Sequence, residues 1–174
     1  MNIENVDFFK KNSKHFTGRN IKVGGLDVGV SIDGIVSIEH TIDIRDGAGV
    51  TIQMDACDML DEFGAESFDG IICMNTIEHV EHWIEAMKNM WGCLKIGGYF
   101  ILTTCTSVKG RHNYPNDYWR FDLDELITMV GGKAVDTMNL PRPARPDLMV
   151  WIGAVGKKTK EELNLSEVSP IMVI

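Results

Sequence analysis

Residues 68–104 read FDGIICMNTIEHVEHWIEAMKNMWGCLKIGGYFILTT and contain two different hydrophobic patterns. The continuous apolar run at 70–74 is typical of a parallel strand that is buried on both faces. From Trp83 onward, apolar residues recur at spacings of three and four, which predicts a helix with one face packed against a sheet. The Gly-Gly pair at 97–98 is predicted to end this helix, and the β-rich run at 99–104 follows as a strand. The stretch therefore predicts a strand, a crossover helix and a second, parallel strand.

Three shorter strands are predicted before this unit, over Asn20–Val28, Glu39–Ile44 and Thr51–Asp55. The links between them are short, and the sequence RDGAGV leaves no room for a crossover helix before the third strand. We therefore expect the third strand to be an irregular edge of the sheet. The N-terminal segment Glu4–Phe16 fits either an amphipathic helix or a loose surface segment.

Two further strands are predicted at 133–140 and 148–155, on either side of the extended sequence PRPARP. They follow a short helix that begins at Leu123, and a hairpin-like connection makes the last strand antiparallel. The pattern as a whole predicts an α/β fold. It is a Rossmann-like, mostly parallel sheet flanked by helices, with an antiparallel last strand and short first crossovers.

The length and the charge of the chain limit its organisation and its partners. At 174 residues the chain suits one domain, which we predict over residues 1–158. Residues 159–174 form a tail that docks either on the body or on a neighbouring chain. With 17 basic and 25 acidic residues, the formal charge is −8, and no dense stripe of Lys and Arg is present. This charge argues against a nucleic-acid surface and favours a small-molecule or protein partner.

The four cysteines, at positions 57, 73, 93 and 105, show no CxxC pairing, and three of them lie in predicted apolar elements. Thiols in such elements behave as small hydrophobic side chains, which indicates a reducing environment. No apolar stretch approaches the roughly 20 residues that cross a bilayer, and the N-terminus has no signal-peptide core. We therefore expect a cytoplasmic protein without membrane contact.

Several polar residues directly follow the buried strand at 70–74. They are Asn75, Thr76, Glu78 and His79. In open α/β sheets, ligands bind beyond the carboxyl ends of the strands. These residues are therefore candidates for a site that binds a nucleotide-type cofactor.

The sequence Glu78-His79-Val80-Glu81-His82 places carboxylates and imidazoles close together, as metal sites do. However, the two histidines are three residues apart, without the four-residue spacing of HExxH. No distant cluster of Cys or His completes a tetrahedral site, so we predict no metal. Glu78 also suits a purely structural role as a cap at the start of the next helix, where its charge complements the helix dipole.

Four segments together carry a family resemblance. They are TIDIRDGAGVTIQMDACDM, SFDGIICMNTIEHVEHW, LKIGGYFILTT and HNYPNDYWRF. Over about Lys22–Phe121 the chain resembles the class I S-adenosylmethionine-dependent methyltransferases, and within them a bacterial, methyltransferase type 11-like group. The resemblance implies S-adenosylmethionine as cofactor and S-adenosylhomocysteine as product. It also implies in-line transfer of a methyl group to a small-molecule or sugar-like acceptor, which needs little acid–base machinery.

The resemblance also implies which residues bind the cofactor. Asp43, followed by Ile44, matches the acid at the end of the second strand, whose carboxylate accepts both ribose hydroxyls. Asp55, followed by Ala56, matches the end of the third strand, beside the adenine. Alternatively, Asp43 only pairs with Arg45, and Asp55 only begins a turn. The remaining implied cofactor-binding residues are Gly24, Gly25, Asn75, Thr76 and His79.

Gly24 and Gly25 stand where the family has its glycine-rich loop, next to the methionine part of the cofactor. The sequence VGGLDVGVSIDG lacks the compact acidic turn of the family and has Lys22 before it. The loop is therefore either re-registered around Asp27 or weakened. A weakened loop leaves open an alternative function, a non-catalytic methyltransferase-like binding or assembly module. A dinucleotide-dependent oxidoreductase is set aside, because GxGxxG is missing.

The segment HNYPNDYWRF places a base, an acid, a cation and aromatic rings on one long loop after the predicted strand at 99–104. By resemblance, this loop overlies the acceptor, and His112 or Asp117 is the candidate catalytic base. The alternative is structural. Tyr118 and Trp119 then pack the loop onto the core, while Asp117 pairs with Arg120.

Overall fold

A computed structural model describes residues 3–25, 31–112, 116–142 and 145–173 of the chain. Its α-helices and strands alternate through most of the sequence. In chain order they are α1 (Ile3–Asn12), β1 (Asn20–Val23), β2 (His40–Asp43), β3 (Ile52–Gln53), α2 (Met59–Phe63), β4 (Phe68–Met74), α3 (Trp83–Cys93), β5 (Leu94–Cys105), β6 (Trp119–Arg120), α4 (Leu123–Met129), β7 (Ala134–Arg142), β8 (Arg145–Lys157) and β9 (Ile171–Met172).

Seven of these strands form one sheet in the order β3-β2-β1-β4-β5-β8-β7. The strands from β3 to β5 pair in parallel, whereas β8 is antiparallel to both β5 and β7. The predicted fold class is therefore confirmed, including the antiparallel last strand of the main sheet. The third strand is an edge of the sheet as predicted, because β3 has only two residues and lies at one end of the strand order.

The Gly-Gly pair at 97–98 does not end a helix, which corrects the sequence prediction. Helix α3 ends at Cys93, and both glycines lie inside β5. The pairing of β5 with β4 shifts register between Phe68↔Leu94 and Gly70↔Tyr99, so residues 95–98 form a bulge. Glycine suits this bulge, because Gly97 has a φ of 84° and a Cβ on Gly98 would lie 2.8 Å from the Asp69 carbonyl oxygen.

Strand β1 ends at Val23, five residues earlier than predicted from the sequence. The chain turns away at Gly24, whose φ of 85° is accessible to glycine at little cost. Asp27, around which we expected a re-registered loop, lies outside the described residues.

Two hydrophobic clusters cover the two faces of the sheet. Ile71 and Ile72 are neighbours on β4 but belong to different clusters, because successive residues of a strand face opposite sides. Helices α2, α3 and α4 contribute to the cluster of Ile71, and α1 contributes to that of Ile72. Of the two alternatives for the N-terminal segment, the helix is correct, since α1 buries Val6 and Phe9.

Asp136 on β7 anchors α1 to the sheet, which leads to a prediction about acid stability. Its carboxylate accepts hydrogen bonds from Lys11 at 3.0 Å and from Asn12 at 2.8 Å. Burial acts to raise the pKa of Asp136, but these hydrogen bonds outweigh it and leave the pKa below its ordinary value. Stabilisation from a lowered carboxyl pKa is present above the pKa of the unfolded chain and is lost as the pH falls through the folded pKa.

We therefore expect Asp136→Ala to lower the free energy of unfolding by about 1–2 kcal/mol at neutral pH. The deficit should shrink below the ordinary carboxyl pKa of about 3.9, where the wild type also loses the charge. Urea unfolding of both proteins at several pH values measures this change. The exposed Asp7→Ala variant, which loses only a 3.8 Å contact with Lys10, is the control. A deficit that stays constant with pH would contradict the linkage.

The C-terminal segment docks on the body of the protein, which was one of the two predicted alternatives. Strand β9 pairs antiparallel with β6, and the Val173 backbone N–H donates to the Tyr118 carbonyl at 2.7 Å. The Ser169 backbone N–H also donates to the Glu125 carboxylate at 2.7 Å. In the described part of the chain, none of the helices has both the length and the apolar character to cross a membrane.

Candidate active site

A cavity of about 650 Å³ opens at the carboxyl ends of β1, β2 and β4. This is the edge of a parallel sheet at which ligands bind, and the volume is within the range of small-molecule sites. Two groups of side chains share the wall. One group follows the strands, at Gly24, Asp43, Ile44, Asp55, Ala56, Asn75 and Thr76. The other lies on later turns and loops, at His79, Val80, His82, Lys109, His112, Asn116 and Tyr118, and is joined by Trp151 of β8.

The two aspartates predicted to bind the cofactor both line this cavity. Asp43 is the last residue of β2 and accepts a hydrogen bond from the Arg45 backbone N–H at 3.0 Å. The Nε of Arg45 also lies 3.4 Å from the same carboxylate oxygen. Asp55 caps a short 3-10 turn by accepting from the Cys57 backbone N–H at 2.9 Å. Each aspartate therefore has the structural role proposed as its alternative, and both still reach the cavity.

The two predicted glycines differ in where they lie. Gly24 lines the cavity, and a Cβ at this position would meet the Thr76 hydroxyl oxygen at 1.9 Å. Thr76 is itself held by donating to the Val23 carbonyl at 3.2 Å. Gly25 lies outside the wall and packs against β2, where a Cβ would approach Thr41 to 2.6 Å.

Asn75 begins the turn after β4 in a left-handed conformation, with a φ of 53°. Asn tolerates this region better than most residues. Its side-chain oxygen accepts from the Thr103 hydroxyl at 2.8 Å and from Asn5 of α1. These contacts hold the predicted cofactor residue in place at the cavity wall.

The loop after β5 brings His112 to His79, with ring centroids 5.0 Å apart. Both imidazoles line the cavity, as the sequence predicted. Burial lowers the pKa of His112, and the nearby Asp117 carboxylate offsets this only in part. The His79 Nδ1 contacts the Asn116 backbone carbonyl oxygen.

Asp117 does not line the cavity, which changes the role expected for it. Its side chain is fully buried and forms two 2.6 Å hydrogen bonds with Arg120, which is 2% exposed. It also accepts from the His112 backbone N–H at 2.6 Å. Burial acts to raise the pKa of Asp117, but these hydrogen bonds hold it below its ordinary value. The carboxylate is therefore committed to holding the loop, and the predicted alternative, pairing with Arg120, is correct.

Glu78 is not the helix cap that the sequence allowed. It lies in a 3-10 turn over Ile77–His79, and its side chain is completely buried. One carboxylate oxygen, Oε2, accepts from the Thr104 hydroxyl at 2.8 Å. Burial raises the pKa of Glu78, although nearby His79 and the Thr104 hydrogen bond act in the other direction.

A family model described as "Methyltransferase domain" matches residues 26–102 of the chain. The matched region begins after β1 and ends within β5, so it includes β2 and β4, whose carboxyl ends border the cavity. Over this region the chain is therefore similar to methyltransferase domains. Two of the solved structures that share this fold contain S-adenosylhomocysteine.

Solved structures share the fold of the methyltransferase at low sequence identity. The N-methyltransferase NodS from Bradyrhizobium japonicum, in complex with S-adenosylhomocysteine, is 13% identical with a TM-score of 0.64, over 89% of this chain and 86% of its own. A Burkholderia thailandensis 1,6-didemethyltoxoflavin-N1-methyltransferase is 11% identical with a TM-score of 0.62, over 91% and 78%. The [4+2]-cyclase SpnF is 12% identical with a TM-score of 0.63, over 90% and 80%. No curated protein sequence matches the methyltransferase significantly.

Sequence reasoning missed several residues on the cavity wall, among them Lys109 and Trp151. The Lys109 ammonium lies 5.2 Å from the centroid of the Trp151 indole, in cation–π geometry. Trp151 pairs with Cys105 at the end of β5, because β8 runs antiparallel to it. The predicted antiparallel last strand could therefore have indicated Trp151. An antiparallel strand begins at the edge where the parallel strands end, and this is the edge at which ligands bind.

Cys57 lines the cavity but is expected to be an unreactive thiol. Burial, followed by the nearby Asp55 carboxylate, raises its pKa to about 12. Thiolates are the reactive form, so the native methyltransferase should react slowly with thiol reagents at neutral pH. A colorimetric count of reactive thiols, before and after unfolding, checks this prediction. Rapid labelling of one native thiol that disappears in Cys57→Ser would contradict it.

Proposed function

We propose that this methyltransferase transfers a methyl group from S-adenosylmethionine to a small, polar acceptor with a ring, such as a sugar-like metabolite. The observation that carries the proposal is the composition of the cavity wall. Residues that match the cofactor motifs and residues of the His112 loop line one and the same cavity. A donor and an acceptor held in one enclosed site react as if in a single molecule, which is the main contribution that methyl transfer needs.

On the cofactor side, the residues present fit S-adenosylmethionine. Asp43 and Asp55 offer carboxylate oxygens to hydroxyl and amine donors, and Gly24 leaves backbone accessible where a side chain would collide. Asn75, Thr76 and Ala56 complete this wall. When bound, the cofactor supplies a sulfonium-activated methyl group, which an acceptor lone pair takes as the carbon–sulfur bond breaks and S-adenosylhomocysteine is left.

On the acceptor side, Trp151 and Tyr118 provide aromatic faces, and Lys109, Asn116 and His112 provide polar groups. A flat apolar face surrounded by hydrogen-bonding groups suits a polar ring better than an extended chain. His112 is the proposed base that takes a proton from a hydroxyl or amine acceptor. Asp117 is a positioning residue, because it holds the His112 backbone and pairs with Arg120.

The setting of the reaction is part of the proposal. The four cysteines are free, which agrees with a reducing cytoplasm. The net charge of −8 agrees with an acceptor that is neither a nucleic acid nor a membrane surface.

Two measurements test the proposed function. Calorimetric titration with S-adenosylmethionine and S-adenosylhomocysteine, with NAD as control, should show binding of the first two only. Transfer of labelled methyl groups should then be found within a panel of sugars and other small hydroxyl or amine compounds. Binding without transfer to any acceptor would favour the alternative, a non-catalytic binding module. Absence of binding by a folded protein would overturn the proposed function.

A further inference from the structure

Three potential metal ligands converge beside the cavity. A carboxylate oxygen of Glu78 and one ring nitrogen each of His79 and His112 all lie within 4.8 Å of one another. Glu78 and His79 follow β4, whereas His112 comes from the loop after β5. The sequence argued against a metal because no distant His or Cys completed a site. In the folded chain, His112 supplies the missing third ligand.

The hydrogen bonding of the Glu78 side chain indicates a ligand that is not part of the protein. It is completely buried, and the Thr104 hydroxyl occupies Oε2. The other oxygen, Oε1, has no hydrogen-bond partner among the described residues. Burying a carboxylate oxygen without a partner is energetically costly, so such an oxygen calls for a bound cation or donor.

The partners of the two histidines bear on which ring nitrogen could bind a metal. The Asn116 carbonyl oxygen can only accept a hydrogen bond, so the His79 Nδ1 that contacts it carries the proton. The lone pair of His79 is then on Nε2. His112 Nδ1 lies 3.4 Å from the Asp117 carboxylate and 3.3 Å from the Arg120 guanidinium. The guanidinium can only donate, so Nδ1 accepts from Arg120, and binding of a metal at Nε2 requires the His112 proton to move to Nδ1, which faces the Asp117 carboxylate. Carboxylate or carbonyl partners of this kind are the usual second shell of ligating histidines.

The charge around the cluster is compatible with a cation. The Arg120 guanidinium lies 3.3 Å from His112 Nδ1, but its charge is neutralised by two hydrogen bonds with the buried Asp117. With neutral imidazoles and an ionised Glu78, the cluster and this ion pair carry a net charge of −1. A divalent cation would reverse that charge and satisfy the unpartnered oxygen of Glu78.

We propose that Glu78, His79 and His112 bind one divalent first-row transition metal ion, for which Zn²⁺ is the test ion. Two imidazoles and one carboxylate form a three-ligand set that leaves a coordination position open, as in catalytic zinc sites. Imidazole ligands favour such metals over Mg²⁺ and Ca²⁺. Metal–ligand bonds of about 2.1 Å place ligand atoms about 3.4 Å apart in a tetrahedron, so the half-buried imidazoles move slightly inward on binding.

The metal site adds detail to the proposed function, and its role toward the acceptor rests on that function. His79 and His112 line the cavity, so an open coordination position is accessible to the acceptor. The substrate class narrows to acceptors with an oxygen or nitrogen donor that coordinates the metal, such as a hydroxyl-bearing ring. In the metal-loaded protein, His112 is a ligand, and the metal takes over the activation of the acceptor that we assigned to His112 as a base.

Calorimetric titration of untagged, chelator-treated protein with Zn²⁺ tests the site. We expect one Zn²⁺ per chain with micromolar or tighter affinity, and no competition from Mg²⁺. His112→Ala and Glu78→Gln should each weaken binding by about 100-fold, at the upper end of the loss seen even for second-shell substitutions. His82→Ala is the matched control, because His82 lies on the same turn and lines the cavity but is outside the cluster.

A second variant reports ligation directly and does not depend on loss of binding. In His112→Cys, the Co²⁺ complex should gain a thiolate-to-cobalt charge-transfer absorption that the wild type and Cys57→Ser lack. The absence of this band, or equal loss of Zn²⁺ binding in His82→Ala and His112→Ala, would overturn the site. Wild-type protein that does not bind Zn²⁺ would also overturn it.

Failure of the metal site and failure of the proposed function are distinguishable. Chelator-treated protein that binds S-adenosylhomocysteine but not Zn²⁺ would retain the methyltransferase proposal and remove the metal. Protein that binds Zn²⁺ but not S-adenosylhomocysteine would retain the metal site and remove the methyltransferase proposal.

Discussion

Asp117→Ala is expected to lower the free energy of unfolding by about 3–5 kcal/mol, the range for removing one partner of a buried ion pair. The substitution leaves the guanidinium of Arg120, 2% exposed, without its two carboxylate hydrogen bonds. It also removes the acceptor of the His112 backbone N–H. For a domain with a total stability of about 5–15 kcal/mol, the loss is severe. Urea unfolding followed by tryptophan fluorescence measures it.

Two variants separate this effect from a general sensitivity to lost charge. Asp7→Ala removes a carboxylate that is 66% exposed, and it should cost less than about 1 kcal/mol. The double variant Asp117→Ala, Arg120→Met removes both charges and should recover part of the stability, because no charge remains buried alone. If Asp117→Ala unfolds at the same urea concentration as Asp7→Ala, the ion pair does not hold the loop.

Asp43→Ala is expected to weaken binding of S-adenosylhomocysteine by about 1.5–3 kcal/mol, or roughly 10- to 150-fold. The physical reason is the loss of charge-assisted hydrogen bonds from the ribose hydroxyls, which the family resemblance assigns to this carboxylate. Asp43 lines the cavity at the end of β2, where such a contact is possible. Calorimetric titration with the product avoids turnover during the measurement.

The control for this prediction comes from the same turn. Asp46 is exposed and lies outside the cavity wall, so Asp46→Ala should bind S-adenosylhomocysteine with unchanged affinity. Asp43 also accepts from the Arg45 backbone, so the urea midpoint of Asp43→Ala must be compared with that of the wild type. Unchanged affinity in a folded Asp43→Ala protein would remove the cofactor role of this residue.

Periodicity in the sequence was enough to predict the central part of the fold. The continuous apolar run at 70–74 became β4, and the spacing of three and four from Trp83 became α3. These signals are reliable because a fully buried strand and a half-buried helix each require one pattern of apolar residues along the chain. The Gly-Gly pair was misread, because a glycine that ends a helix and a glycine that bulges a strand share the same left-handed backbone.

Most of the predicted cofactor residues line the cavity for a topological reason. Asp43, Asp55, Asn75 and Thr76 all follow strands, and the ends of parallel strands meet at one edge of the sheet. Gly25 lies outside the wall, because the backbone turn at Gly24 directs it toward β2. No periodic pattern in the sequence indicates such a turn.

The local pattern of the chain thus determined the order of strands and helices, the acids at the strand ends and the resemblance to a family. The tertiary structure decided which distant side chains meet, namely Asp117 with Arg120 in the interior, Trp151 with Lys109, and His112 with Glu78 and His79. Hydrophobic periodicity is a property of neighbouring residues, whereas these contacts depend on how a long loop and an antiparallel strand return to the sheet. For that reason the convergence of Glu78, His79 and His112, three potential metal ligands, is visible only in the folded chain.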